Sequence, residues 1–173
     1  MKFYVLAAAV SAVVAVAPAS ARDFNGGYAG VALALDNFQG SGSAEGIGFS
    51  GVGASGFAGY DVPLSTNVFA GVEANIDVNT ADVDGLIDAK WGWGVSGRLG
   101  TKLNDSTGLY ARVGYAREKL SAGGSSWFDG VRYGAGIETA VTENVSVRAE
   151  FSQFNYESDL INNQGTLGVV FSF

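Results

Sequence analysis

Between Val68 and Asn79 the side chains sort by parity, with Val68, Ala70, Val72, Ala74, Ile76 and Val78 on one side and Phe69, Gly71, Glu73, Asn75, Asp77 and Asn79 on the other. A strand repeats every two residues and keeps such sets apart, whereas a helix repeats every 3.6 or so and mixes them. The segment therefore reads as a strand with two unlike faces. KWGWGVSGRLGTK, Lys90 to Lys102, behaves the same way: Trp91, Trp93, Val95 and Leu99 oppose Gly92, Gly94, Ser96, Arg98 and Gly100.

The test predicts further strands over Tyr28–Asp36, Val52–Val62, Leu109–Glu118, Val131–Glu138, Val145–Ser152 and Thr166–Phe173, eight in all, with no stretch left over for a helix. Connections after the second, fourth and sixth strands (63–67, 104–107 and 140–144) are short. Those after the first, third, fifth and seventh (37–51, 79–88, 119–128 and 155–165) are long and rich in Gly, Ser, Asn and Asp. An antiparallel meander with short turns at one end and long loops at the other is the layout of an up-and-down transmembrane β-barrel. Turns then lie on the periplasmic side and four loops lie outside the cell.

Alternation alone does not say which face meets water, because a soluble lipocalin-like ligand-binding barrel also alternates, with its apolar face inside. Bulk and charge decide. The charged face is small, carrying Gly30, Gly71, Gly92, Gly94, Gly100, Gly114, Gly134, Gly136 and Gly168, which suits a narrow lumen better than a solvated surface. Glu73, Arg98, Arg112, Arg132, Glu138, Arg148 and Glu150 all fall on that face. They are expected to form an ion-pair network in the lumen. A one-residue slip in register would put them in lipid, at about 2–4 kcal/mol for each Arg near mid-bilayer. Arg117 alone has the parity of the apolar face, at a strand end from which it can snorkel. Tyr60, Trp91, Trp93, Tyr115, Tyr133, Phe171 and Phe173 sit on the apolar face as an interfacial girdle requires.

Residues 1–21 have the form of a secretion signal: Lys2, an apolar run from Phe3 to Ala17, then Ala19-Ser20-Ala21 as a small-residue cleavage site. Residues 22–173 are then the barrel domain, exported from the cytoplasm. The chain has no cysteine and no histidine, which removes thiolate and imidazole metal sites, disulfides and Ser/His or Cys nucleophiles. No catalytic residue, metal ligand or cofactor site is expected. A net charge of −7 without a basic run argues against nucleic acid.

At this level the chain resembles the small eight-stranded outer-membrane barrels of Gram-negative bacteria, the group that includes the transmembrane domain of outer-membrane protein A and the opacity-type surface proteins. The C-terminus carries the most specific likeness. Leu167, Val169, Phe171 and Phe173 resemble the signal read by the barrel-assembly machinery, alternate apolar residues ending in phenylalanine. The resemblance implies a lumen plugged by a carboxylate paired with basic residues, which maps by position onto Glu73, Arg98, Glu138 and Arg148; a Lys in the family's fourth-strand place is Arg98 here. It also implies an outer-membrane location, membrane lipid and lipopolysaccharide as surroundings, and a structural or surface-interaction role for a monomer whose loops meet an unidentified partner. A small-solute or ion pore is the alternative. The family's enzymes depend on histidine, so an enzyme is not expected.

Two motifs compete with this reading. Gly-x-Gly-x-x-Gly occurs at Gly51–Gly56 and at Gly92–Gly97, but nucleotide binding needs a helix after the loop and neither copy has one. The acidic stretch Asn79–Asp88 lacks the closing Glu and flanking helices of a calcium loop and reads as a solvated connection.

Overall fold

The computed structural model describes residues 23–40, 48–83, 86–121, 125–156 and 160–173. Eight strands follow in order: β1 Gly26–Gly40, β2 Gly48–Pro63, β3 Val68–Val83, β4 Leu86–Lys102, β5 Thr107–Ser121, β6 Ser125–Ala140, β7 Val145–Tyr156 and β8 Leu160–Ser172. Each pairs antiparallel with its neighbours in sequence, and β8 returns to β1 to close the barrel. Val31 lies opposite Val169 and Leu33 opposite Leu167 across that seam, so the closing register keeps bulky residues on one face. Closure satisfies every strand edge, the condition for a sheet to stand in hydrocarbon.

The apolar set points out. Val31, Leu33, Val72, Ile76, Val95, Leu99 and Val113 are all at least half exposed, while Glu73, Arg98, Arg112, Arg132, Glu138, Arg148 and Glu150 are buried in the lumen. A water-soluble barrel would invert these two sets, and its bulk would be the core. Glycine occupies inward positions where large lumen groups press on the wall. A Cβ on Gly30 would sit 2.4 Å from the Phe57 ring and 2.5 Å from the Val169 carbonyl oxygen, and one on Gly136 would sit 2.4 Å from the Tyr110 hydroxyl. Gly56, which faces outward, has nothing within 4 Å. The two Gly-x-Gly-x-x-Gly stretches lie inside β2 and β4 and lead into no helix.

The strands outrun the sequence reading at one end. The turn ends fall where expected, at 64–67, 103–106 and 141–144. At the other end β1 continues to Gly40, β3 to Val83 and β7 to Tyr156, so much of what reads as long loop is paired strand. The reason is the membrane's edge. Above the hydrocarbon, outward positions turn polar, as at Asn37, Arg117, Lys119, Asp129, Gln153, Asn155 and Asn163. Alternation then vanishes from the sequence while the hydrogen-bond ladder continues. A crossing needs only about 9–11 residues, and strands of up to 17 project beyond it. The side chains of the acidic stretch at 79–88 and the leader at 1–21 lie outside the described residues.

Candidate functional site

The lumen is the site. Inward positions on six strands, β2 to β7, converge on its centre, and their charges form one chain in which acid and base alternate. Asp61 on β2 receives the Nε of Arg98 at 2.8 Å and pairs with its Nη2 as well. The Nη1 of Arg98 lies 3.4 Å from Glu138 Oε2, which also accepts the Nε and Nη2 of Arg148 at 3.0 and 2.9 Å. Arg148 Nη1 then reaches Glu73 Oε2 at 2.6 Å. Glu73 Oε1 lies 2.9 Å from Arg112 Nη1, an ionic contact off the hydrogen-bond axis. The same Arg112 nitrogen donates to both oxygens of Glu150 at 3.0 Å, and Arg132 Nη2 closes the chain on Glu150 Oε1 at 2.8 Å.

Four arginines thus meet four carboxylates, and none of the eight side chains is exposed beyond 4%. Such burial is tolerable only where geometry is good and remaining lone pairs and N–H groups are used. Neutral neighbours supply part of this. The Tyr28 hydroxyl donates to Glu73 at 2.9 Å and that of Tyr110 to Glu150 at 2.5 Å. Ser96 accepts from Arg112 at 2.9 Å, and Ser152 accepts from Arg132 at 3.2 Å while donating to Glu150 at 2.8 Å. Ring faces cover the guanidinium planes: Arg98 lies 4.4 Å from the Tyr28 centroid and Arg148 lies 4.4 Å from that of Phe57.

Below the charges, at the end with the short turns, aromatic side chains fill the bore. Phe24 stacks on Phe69 with centroids 4.3 Å apart, and Tyr110 completes the cluster. Asp23 ties this N-terminal segment to Lys102 at 3.0 Å.

All seven lumen residues expected from sequence therefore enter one network. Asp61, Tyr28 and Tyr110 also belong to it. Their parity was legible, but nothing in a single sequence showed that Asp61 sits level with Arg98 or that the two phenols lie within reach of Glu73 and Glu150. Arg117, the exception on the outer face, pairs with Asp129 at 3.0 Å and lies 5.1 Å from the Trp127 centroid, at the level where the outer surface turns polar. Trp91 meets Trp127 edge to face at 5.2 Å, and Trp93 lies 5.9 Å from Tyr115, so part of the girdle is built from two aromatic pairs over β4 to β6. Leu167, Val169, Phe171 and Phe173 all point outward, Phe173 being 80% exposed.

Bulk outside, charge inside and a closed ladder define an integral membrane β-barrel. The chain belongs to the outer-membrane protein β-barrel domain family, whose model matches residues 6–173, and its place is the outer membrane. It is 31% identical over 116 residues to a 22 kDa outer membrane protein of Rhizobium leguminosarum bv. viciae, a match covering 62% of this chain and 54% of that one, so the chain spans about half of the curated relative. Among solved structures it is similar in fold to Ail, the attachment invasion locus protein of Yersinia pestis, at TM-score 0.62 and 17% identity over 86% of this chain and 99% of that one. Neisserial surface protein A gives TM-score 0.62 and 18% identity over 85% and 97%.

Proposed function

We propose that the barrel is a closed, non-conducting anchor that holds its extracellular connections at the cell surface, where contact rather than catalysis or transport is its work. The observation that carries this reading is the unbroken chain of eight charges from Asp61 to Arg132, backed toward the short turns by Phe24, Phe69 and Tyr110. A solute crossing would have to separate buried ion pairs, and each carboxylate or guanidinium left behind would cost several kcal/mol, on the order of 3–5. An eight-stranded barrel also has an interior just wide enough for its own side chains.

What remains available to partners is the rim. On this reading the apolar belt meets hydrocarbon, while Arg117 and Lys119 stand at the level of the lipopolysaccharide phosphates. Residues 41–47, 84–85, 122–124 and 157–159 join the projecting strands and contact the unidentified partner. The barrel acts as a monomer, delivered by the assembly machinery after its leader is removed.

The test has two arms. In planar bilayers the purified protein is expected to give no discrete conductance steps, and steps altered by Glu73→Ala would instead assign an ion pore. In whole cells, replacing 41–47 with a Gly-Ser linker of equal length is expected to leave barrel assembly intact and to change adhesion or serum resistance. If none of the four connections alters any surface phenotype when replaced, the contact role falls.

A further inference from the structure

On the extracellular side of the ion-pair chain the lumen holds a second polar chamber. Asp77, Glu118, Asn162 and Gln164 line it, with Gly92 and Phe154 in the wall. Phe154 covers Arg132 at 4.8 Å and so stands between this chamber and the charges below. There is room for about one water-sized or ion-sized occupant.

The amides in and beside this chamber are turned the same way, for an identifiable reason. Asp36 accepts the Nδ2 of Asn162 at 2.7 Å and the Nε2 of Gln164 at 3.0 Å, and Asp77 accepts the Nδ2 of Asn75 at 2.5 Å. Each amide spends its NH2 on a carboxylate and is left with its carbonyl oxygen. Asn162 Oδ1, Gln164 Oε1 and Asp77 Oδ1 are all buried without a donor from the protein, and Asn162 and Gln164 are only 1% exposed. Buried polar atoms of this kind demand a partner.

Three of the atoms without a hydrogen-bond partner here are oxygens of lumen-facing side chains, from one carboxylate and two amides, while Arg117, which also lines the chamber, turns its guanidinium to Asp129 on the outer face. Oxygen-only sets of mixed carboxylate and carbonyl suit hard cations such as Ca²⁺. Water would satisfy the lone pairs but not the charge. The four arginines below are matched by Asp61, Glu73, Glu138 and Glu150, whereas Asp77 brings a further carboxylate to the chamber wall, where it is held by the neutral amide of Asn75. Among the described residues no three carboxylates converge on one point, so a site here is mixed and needs the amides.

We propose that this chamber binds one hard cation of the calcium class, with Asp77 supplying charge, Asn162 and Gln164 supplying neutral oxygens, and Asp36 acting as the positioning residue that keeps both amides oxygen-inward. Calorimetric titration of CaCl2 into the full barrel, refolded in zwitterionic detergent and stripped with EDTA, tests it. Saturable binding of about one Ca²⁺ per chain is expected, weakened at least about tenfold by Asp77→Asn and severalfold by Gln164→Met, and unaffected by Asp129→Asn on the outer surface. Ca²⁺ should also raise the unfolding temperature of the wild type more than that of either lumen variant. Folding of each protein is checked by the mobility difference between unheated and boiled samples, and where Asp77→Asn does not refold, Gln164→Met carries the comparison. Absence of saturable binding by the wild type, or equal affinity in a folded lumen variant, means that water fills the chamber and overturns the proposal.

Discussion

Arg148 and Glu73 meet at 2.6 Å in the middle of the lumen although 75 residues separate them in the chain. Their pairing joins the two halves of the charge chain: on one side Glu138, Arg98 and Asp61, on the other Arg112, Glu150 and Arg132. Glu73→Gln keeps the shape but leaves four arginines facing three carboxylates. Removing one member of a buried pair costs about 3–5 kcal/mol, so the urea midpoint in detergent should fall well below that of the wild type. Lys102→Gln, which breaks the exposed contact with Asp23, should cost less than about 1 kcal/mol. Equal midpoints for the two variants would mean that the lumen charges are not load carriers of the fold.

Glycine positions separate the two faces more sharply than any apolar residue. Gly30→Ala drives a methyl group into the Phe57 ring at 2.4 Å and the Val169 carbonyl at 2.5 Å, with backbone on one side that cannot swing away. Overpacking of this kind costs about 1–3 kcal/mol. Gly56→Ala adds the same group where nothing lies within 4 Å, and it should be neutral or stabilising by up to about 1 kcal/mol through loss of unfolded-state freedom. Equilibrium unfolding of the two variants side by side reads the difference.

The edge of the hydrocarbon belt can be located by charge. Val72 is 61% exposed within the apolar run of β3 from Val68 to Val78, whereas Asn37 faces outward on β1 above the last bulky residue, Leu35. Val72→Arg should destabilise the barrel in lipid vesicles by about 2–4 kcal/mol, and Asn37→Arg by no more than about 1 kcal/mol. Similar costs at both positions would put the boundary elsewhere.

These contrasts also explain what was legible in the sequence. Val68 to Val78 announced a strand, and the charges of matching parity announced the lumen, because a lipid-facing surface excludes Arg and Glu absolutely enough to leave a period of two. Past the belt that exclusion ends. Asn37, Gln153 and Asn163 are as polar as their inward neighbours, so the continuation of β1, β7 and β8 left no trace in hydrophobicity. The network was legible as a set of residues but not as a set of pairs. Which arginine meets which carboxylate depends on strand stagger, and that fixes Asp61 beside Arg98 on a strand two places away. The upper chamber was illegible for the same reason: Asp36 and Asn162 lie 126 residues apart and meet only because β8 closes on β1.

Phe173 separates folding from delivery. Its backbone N–H donates to the Gly27 carbonyl at 3.1 Å, an interaction that any residue but proline can make, while its side chain is 80% exposed and points toward lipid. Phe173→Ser removes the ring and keeps the backbone bond. If the terminal aromatic is chiefly a signal for the assembly machinery, the purified variant should refold in detergent to the wild-type extent, with an unfolding midpoint within about 1 kcal/mol of it, the range of substitutions that disturb no core or buried polar group. In cells the same variant should reach the outer membrane at a fraction of the wild-type level, measured by quantitative blotting of membrane fractions. A parallel fall in both assays would place the effect in barrel closure through Gly27 and β1, where the ring lies close to the chain, rather than in recognition.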